Sequence, residues 1–322
     1  MNDKLNNSSS PMFSDSLMSA DDALSFLMES AVISNLTELA SLDDSIGRIL
    51  AEDIRSRINV PGFDNSAMDG YTIALDENNL SKENQTFNIV DRIAAGSIGN
   101  ELKKGNAARI FTGAPIPKGA NTVVMQEECE TSEDGSQITI KRAIELNENI
   151  RPTGNDILKN GVILNVGKKI EPEDISLAAS VGIGELKVYK KLKVGVFFTG
   201  DELVEPGQSL TPGKIYNSNR YALVALLKNA GCKVVNLGNI KDDFDSTCDA
   251  LEDLAKDCDL IMTTGGVSVG EEDHVKPAVE KLGSLNLWKI KMKPGKPLAF
   301  GYVRNIPFIG LPGNPVSSFV TY

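Results

Sequence analysis

The texture of the chain changes at Leu192, and the part beyond it is the most constrained in fold. Four apolar or near-apolar runs, KVGVFF (193–198), CKVVNLG (232–238), DLIMTT (259–264) and IPFIG (306–310), are mostly separated by helical stretches near Asn219–Lys228, Ser246–Lys256 and Lys276–Leu282. Short strands with no polar face must be covered on both sides, which predicts a parallel sheet with helices on each face. KIKMK and PLAFGYV read as a hairpin-like pair added to that sheet.

Upstream, Ser19 followed by Asp21 and Asp22, with Ala23, Leu24, Leu27, Met28 and Ala31 at helical spacing, predicts an amphipathic helix. Ile46, Ile49 and Leu50 suggest a second short helix over Asp43–Asp53. From Pro61 to Ile150, β-rich runs (FNIVDRIAA, NTVVMQE, SQITIK) alternate with Gly, Pro, Asn and Asp turns, as in a small β domain. Glu171-Pro172-Glu173-Asp174 then opens another helix that Gly182 ends. The expected organisation is multidomain, α/β and β. Residues 1–16 form a loose tail, 17–60 and 151–188 a helical and extended module, 61–150 an inserted β domain, and 189–322 the α/β domain.

Several function classes are excluded or disfavoured. The net charge of −11 argues against nonspecific nucleic-acid binding, which needs a basic surface. No apolar run approaches the roughly 18 residues of a membrane helix, and the polar start carries no secretory signal, so a cytoplasmic location is expected. Cys129, Cys232, Cys248 and Cys258 are scattered without a CxxC pair, which reads as free thiols rather than a zinc site. His274 is the single histidine, so any His-based nucleophilic mechanism would depend on that one position.

In a doubly wound sheet, ligands bind beyond the carboxyl ends of the strands. Three unusual turns fall there: Thr199-Gly200-Asp201-Glu202, Gly265 to Gly270, and Leu311-Pro312-Gly313-Asn314-Pro315. The glycine turn, with Gly265, Gly266, Ser268 and Gly270, could bring backbone N–H groups close to a ligand, or could be only a tight turn. Asn314 as cap and Pro315 as first helical residue predict a helix N-terminus facing the rim, with Gly313 and Ser317 beside it. Asp201, Glu202, Asp242 and Asp273 gather near the same turns, either to hold a hard cation beside a phosphate or to cap helices in water. Lys293 and Lys296, in a Pro/Gly turn, could neutralise an oxyanion or face solvent.

PGFDNSAMDGY (61–71), RIFTGAPIPKGANTVVMQE, IRPTGNDI, FFTGDELVEPGQSLTPGKIYNSNRYAL, TTGGVSVGEEDHVK, KMKPGKPLAFG and LPGNPVSSF occur in this order. From about residue 17 to its last residue the chain resembles the MoeA/gephyrin family of molybdopterin molybdenumtransferases. The resemblance implies Mg²⁺-dependent insertion of molybdate into adenylylated molybdopterin, with release of AMP. It implies catalytic roles for Asp69, Thr112, Asp156 and Glu202. Substrate binding would fall to Gly265, Gly266, Ser268, Gly270, Lys293, Lys296, Pro312, Gly313, Asn314, Pro315 and Ser317, and metal binding to Glu202, Asp242 and Asp273.

The resemblance also implies a homodimer with the site shared between subunits, and dealings with the molybdopterin adenylyltransferase and with molybdoenzyme acceptors. Two departures stand out: His274 occupies a position where many relatives have tyrosine, and the sequence ends at Tyr322 before the family's C-terminal β domain. Two other readings compete, a molybdopterin adenylyltransferase, against which residues 17–188 argue, and a gephyrin-like dimeric scaffold.

Overall fold

A computed structural model of the chain describes residues 17–31, 35–76, 82–266, 273–293 and 297–322. Two compact units emerge, one of Thr37–Val188 and one of Tyr189–Tyr322 joined by the segment that ends at Leu36. No helix among the described residues is long and apolar enough to cross a membrane.

The amphipathic helix α1 (Ala20–Ser30) forms as expected, with the Ser19 side chain accepting from the N–H of Asp22. Its placement differs from expectation. Rather than joining a module with residues 37–60, it packs on the later part of the chain: Ala23 and Leu27 enter a core with Val194, Leu223 and Leu298. Phe26 meets the edges of Trp288 and Phe300, with ring centroids 4.9 and 5.8 Å away. An apolar stripe does not say which core will take it, and here the aromatic edge of the second unit does.

In the Thr37–Val188 unit, β1 (Thr37–Ser41), β2 (Ile54–Arg55) and β3 (Asn65–Ser66) precede a six-stranded sheet. That sheet contains β4 (Gly70–Ile73), β5 (Gln85–Ile93), β6 (Asn106–Ile110), β7 (Thr122–Met125), β8 (Cys129–Thr131) and β9 (Gln137–Ile140), in the order β7-β4-β6-β5-β9-β8. One group of core residues is built around Ile73, Val124 and Ile138, another around Ile93, Ala108 and Val123. The chain returns through β10 (Ile150–Arg151), β11 (Val162–Leu164), α2 (Pro172–Ser180) and β12 (Glu185–Tyr189), which pair with or pack near β1 to β3.

The helix expected over Asp43–Asp53 is absent. Gly47 takes a φ of +72°, the backbone of Leu50 and Ala51 bonds to Lys168 and Lys187, and Leu50 is fully buried. Distant pairing outweighs a three-residue apolar pattern that a glycine already weakens.

The second unit carries a six-stranded sheet of β13 (Lys193–Phe198), β16 (Lys233–Asn239), β17 (Leu260–Thr264), β18 (Gly283–Lys289), β19 (Pro297–Val303) and β20 (Ile306–Leu311). A two-stranded flap, β14 (Leu203–Val204) and β15 (Ile215–Tyr216), interrupts the step from β13 to α3 (Ser218–Asn229). The sheet order is β16-β13-β17-β20-β19-β18. The first four strands are parallel, and β19 and β18 close one side as antiparallel partners.

The strand preceding PLAFGYV is therefore Gly283–Lys289, while Ile290 in KIKMK makes only a bridge to Met18. α3 shares one core with β13. α4 (Phe244–Ala255) and α5 (Val275–Leu282) share another, and α6 (Pro315–Thr321) follows β20. Chain connections leave β13 toward β16 and leave β17 toward β20, so the order switches between β13 and β17.

Phe26→Ala should remove both edge-on aromatic contacts and lower unfolding free energy by about 2 kcal/mol, less than a fully buried aromatic would cost. Urea titration followed through Trp288, the single tryptophan, should show an earlier transition and a red-shifted native emission if α1 docks there.

Candidate active site

Beyond the switch in strand order lies a cleft of about 100 Å³, lined by Thr199, Glu202, Leu203, Ile215, Tyr216, Asn217, Ser218, Asn219, Thr264, Gly265, Gly313 and Pro315. Parallel pairing carries the ends of β13, β17 and β20 to the same rim, so their turns meet there. Gly265 and Gly313 face each other so closely that a Cβ on Gly313 would stand 3.4 Å from the Gly265 Cα. The Asn219 side chain donates to the Gly313 carbonyl at 2.8 Å, tying α3 to the turn after β20. Asn217 caps α3 by accepting from the N–H of Arg220, and the N–H groups of Ser218 and Asn219 have no helical acceptor at this end. The cleft thus has a polar floor of turn backbone and helix end, and a more apolar wall on the flap.

Each expected rim carboxylate has a distinct setting. Glu202 lies at the cleft, and its carboxylate lies over Gly200, where a Cβ would stand 2.6 Å from Oε2. Asp242 accepts the Thr199 hydroxyl at 2.6 Å. Asp273 accepts from the N–H groups of Val275 and Lys276, so it caps α5.

Among the described residues no group of three or more His, Cys, Asp or Glu side chains gathers to hold a metal, so Glu202, Asp242 and Asp273 do not form a three-carboxylate cage. Two of the three are already engaged, by a threonine and by a helix end. One or two carboxylate oxygens still suit Mg²⁺, which takes its other ligands from water and substrate phosphates.

Ser317 is buried, and its N–H and hydroxyl both donate to the Asn314 side chain that caps α6. Pro312 is buried behind the glycine and Lys293 is exposed; neither lines the cleft. Ser268, Gly270 and Lys296 lie outside the described residues.

The other unit holds a second constellation. Asp69 Oδ1 accepts both the N–H and the hydroxyl of Thr112, at 2.8 and 2.9 Å. These two bonds, the backbone one first, hold the Asp69 carboxyl below its usual range. Arg109 donates to the Gly70 carbonyl at 2.9 Å and lies over the rings of Tyr71 and Phe111, bracing both segments of the pair. Asp156 accepts from the Asn155 side chain, and no hydrogen bond among the described residues joins it to Asp69 or Thr112.

Residues 18–182 match the family model described as MoeA N-terminal region (domain I and II), and residues 195–322 match the one described as Probable molybdopterin binding domain. The curated molybdopterin molybdenumtransferase of Haemophilus influenzae is 44% identical over 95% of this chain and 75% of its own length. That of Bacillus subtilis is 38% identical over 89% and 68%. The chain belongs to the MoeA family. A solved molybdopterin biosynthesis MoeA protein from Pyrococcus horikoshii OT3 superposes with a TM-score of 0.81 at 30% identity, covering 94% of this chain and 76% of the other.

This MoeA-family chain is accordingly an enzyme of molybdenum-cofactor biosynthesis, shorter than these relatives. The sequence reading reached Glu202, Gly265, Gly313 and Pro315 in the cleft, and Asp69 with Thr112. It named Thr199 only within its turn, and missed Thr264, Ile215, Tyr216 and Asn217 to Asn219. Only Asn217-Ser218, a capping residue ahead of an apolar helix, carried a signal for them.

Thr112→Val removes the hydroxyl bond and leaves the stronger backbone bond, so the Asp69 pKa should rise part-way toward its ordinary value. Carboxyl NMR titration of the two proteins measures it. Because a depressed carboxyl pKa favours the folded state above the unfolded pKa and loses that effect as pH falls, the variant's deficit should vanish in acid.

Proposed function

We propose that the cleft of the α/β unit binds adenylylated molybdopterin, and that the enzyme inserts molybdate into its dithiolene while AMP leaves. The observation that carries this reading is the convergence of three strand-end turns and the α3 N-terminus on one cleft. Free N–H groups and a helix dipole suit a phosphate there. Cleaving a phosphoric anhydride depends on positioning and charge neutralisation more than on a protein nucleophile. A site of carboxylates, glycine turns and a helix end fits that chemistry.

Glu202 and Asp242 would hold Mg²⁺ together with substrate phosphate oxygens, and the ion would supply neutralisation of the developing charge. Asp242, oriented by Thr199, and Glu202, folded over Gly200, keep their oxygens at fixed places. Asp69, kept ionised by Thr112, and Asp156 are further catalytic groups of an enzyme that acts as a homodimer, its site shared between subunits. Lys293, and Lys296 with the Gly265–Gly270 turn, contribute anion binding.

Residues 61–150 form a β domain inserted between 37–60 and 151–188. The four free thiols suit a reducing cytoplasm, where the molybdopterin adenylyltransferase would supply substrate and molybdoenzymes would accept product.

The purified chain, given molybdate, Mg²⁺ and adenylylated molybdopterin, should release AMP. Asp69→Asn and Glu202→Gln should each slow release by about 100-fold, the scale of losing one charge-stabilising group, with the fold retained and only a small fall in melting for Asp69→Asn, which loses the charge-assisted bonds from Thr112. Full rates in both variants would remove these assignments. Adenylylation of molybdopterin from ATP, without insertion, would instead favour the adenylyltransferase reading.

A further inference from the structure

We infer that Glu205 is a positioning residue, which locks the flap over the cleft through Arg220 and Tyr221 and so sets substrate affinity; this rests on the function proposed above. The flap supplies Glu202, Leu203, Ile215 and Tyr216 to the cleft. Internally it is held by backbone bonds, Ile215 N–H to Glu202 O at 2.8 Å and Asn217 N–H to Val204 O at 3.0 Å, and by the Tyr216 hydroxyl donating to Gln208 O. The second of these bonds already ties the end of β14 to the residue that caps α3.

Glu205, directly after β14, adds a side-chain connection from the flap to α3. One oxygen accepts from Arg220 Nη1 at 2.7 Å and the other from the Tyr221 hydroxyl at 3.0 Å. Arg220 and Tyr221 lie in the first turn of α3, whose preceding residues 217 to 219 line the cleft. The pair is half-shielded, each partner 27% exposed, which strengthens a charge-assisted bond relative to a surface one.

The Arg220 guanidinium has a further neighbour. Gly238, with φ +76°, lies beside it, where a Cβ would come into ordinary contact, 3.4 Å, with Nη1, the nitrogen that donates to Glu205. The adjacent Asn239 side chain accepts from the Asn217 cap. The carboxylate thus joins the flap to the first turn of α3, and the Asn217–Asn239 bond joins the cap of that helix to the end of β16. Glu205 does not line the cleft, so its influence on a ligand passes through the wall it holds.

Hydrogen exchange of the backbone over residues 203–216 tests the lock without any substrate. Glu205→Ala should speed exchange there by about tenfold while leaving β13 and β17 protected, and Glu205→Gln, which keeps the side-chain length and one of the two acceptor oxygens, should recover part of the protection. In turnover, Glu205→Ala should raise KM for adenylylated molybdopterin by about tenfold with kcat changed far less, the pattern of lost binding rather than lost chemistry.

Unchanged exchange in Glu205→Ala overturns the lock, as does a fall in kcat at constant KM. A wild-type chain that neither binds nor turns over the substrate counts against the proposed function instead, and the exchange comparison still decides whether Glu205 holds the flap.

Discussion

Parallel pairing of β13 with β16 and β17, and of β17 with β20, is the constraint on which the rest of the candidate site depends. Parallel strands present all their carboxyl ends at one rim, and each must cross back over a face before the next begins. The crossings diverge between β13 and β17, which leaves a crevice no connection fills. Into it come residues more than 100 positions apart, from Thr199 to Pro315. Gly265 takes a φ of +85°, a backbone that side-chain-bearing residues rarely adopt, so the turn after β17 depends on that glycine.

The Thr37–Val188 unit solves a different problem. Its candidate carboxylate is exposed, and the bonds it accepts outweigh the desolvation that would raise its pKa. Orientation comes from Thr112, through a backbone N–H and a hydroxyl on the same oxygen. Asp64 is held in the same way by Thr153, at 2.7 and 2.8 Å, where the chain returns toward β11. Both threonines are followed by a glycine with positive φ, Gly113 and Gly154, the conformation that lets the turn present N–H and hydroxyl together. The same local device thus secures both ends of the PGFDNSAMDGY segment, from which Asp69 projects.

Periodicity and turn chemistry made much of this legible. The helices after β13, β16 and β17 lie within about two residues of their sequence limits, because each has a cap or charge pattern at its start and an amphipathic face. The rim was legible for a topological reason, since alternating apolar strands and helices leave little choice of sheet. The error at Asp43–Asp53 arose where Leu50 was to be buried against residues 120 to 140 positions away, a pairing that no local window contains. The misplaced strand near residue 290 arose because GSLNLWK directly follows a helix, with no turn between to announce it.

The sequence by itself determined the family, the parallel α/β architecture, and the rim as the place where ligand chemistry belongs. Those follow from residue order and from motifs long enough to be specific. Tertiary structure decided which partners each rim residue meets. Ser317 bonds to the Asn314 cap, one Asp273 oxygen accepts at the start of α5, Asp242 accepts from Thr199, and Glu202 lies at the cleft under a flap held by Glu205. A hydroxyl or carboxylate has the same letter whether it caps a helix or faces a ligand. Only the positions of its hydrogen-bond partners in space distinguish the two, and those partners come from elsewhere in the chain.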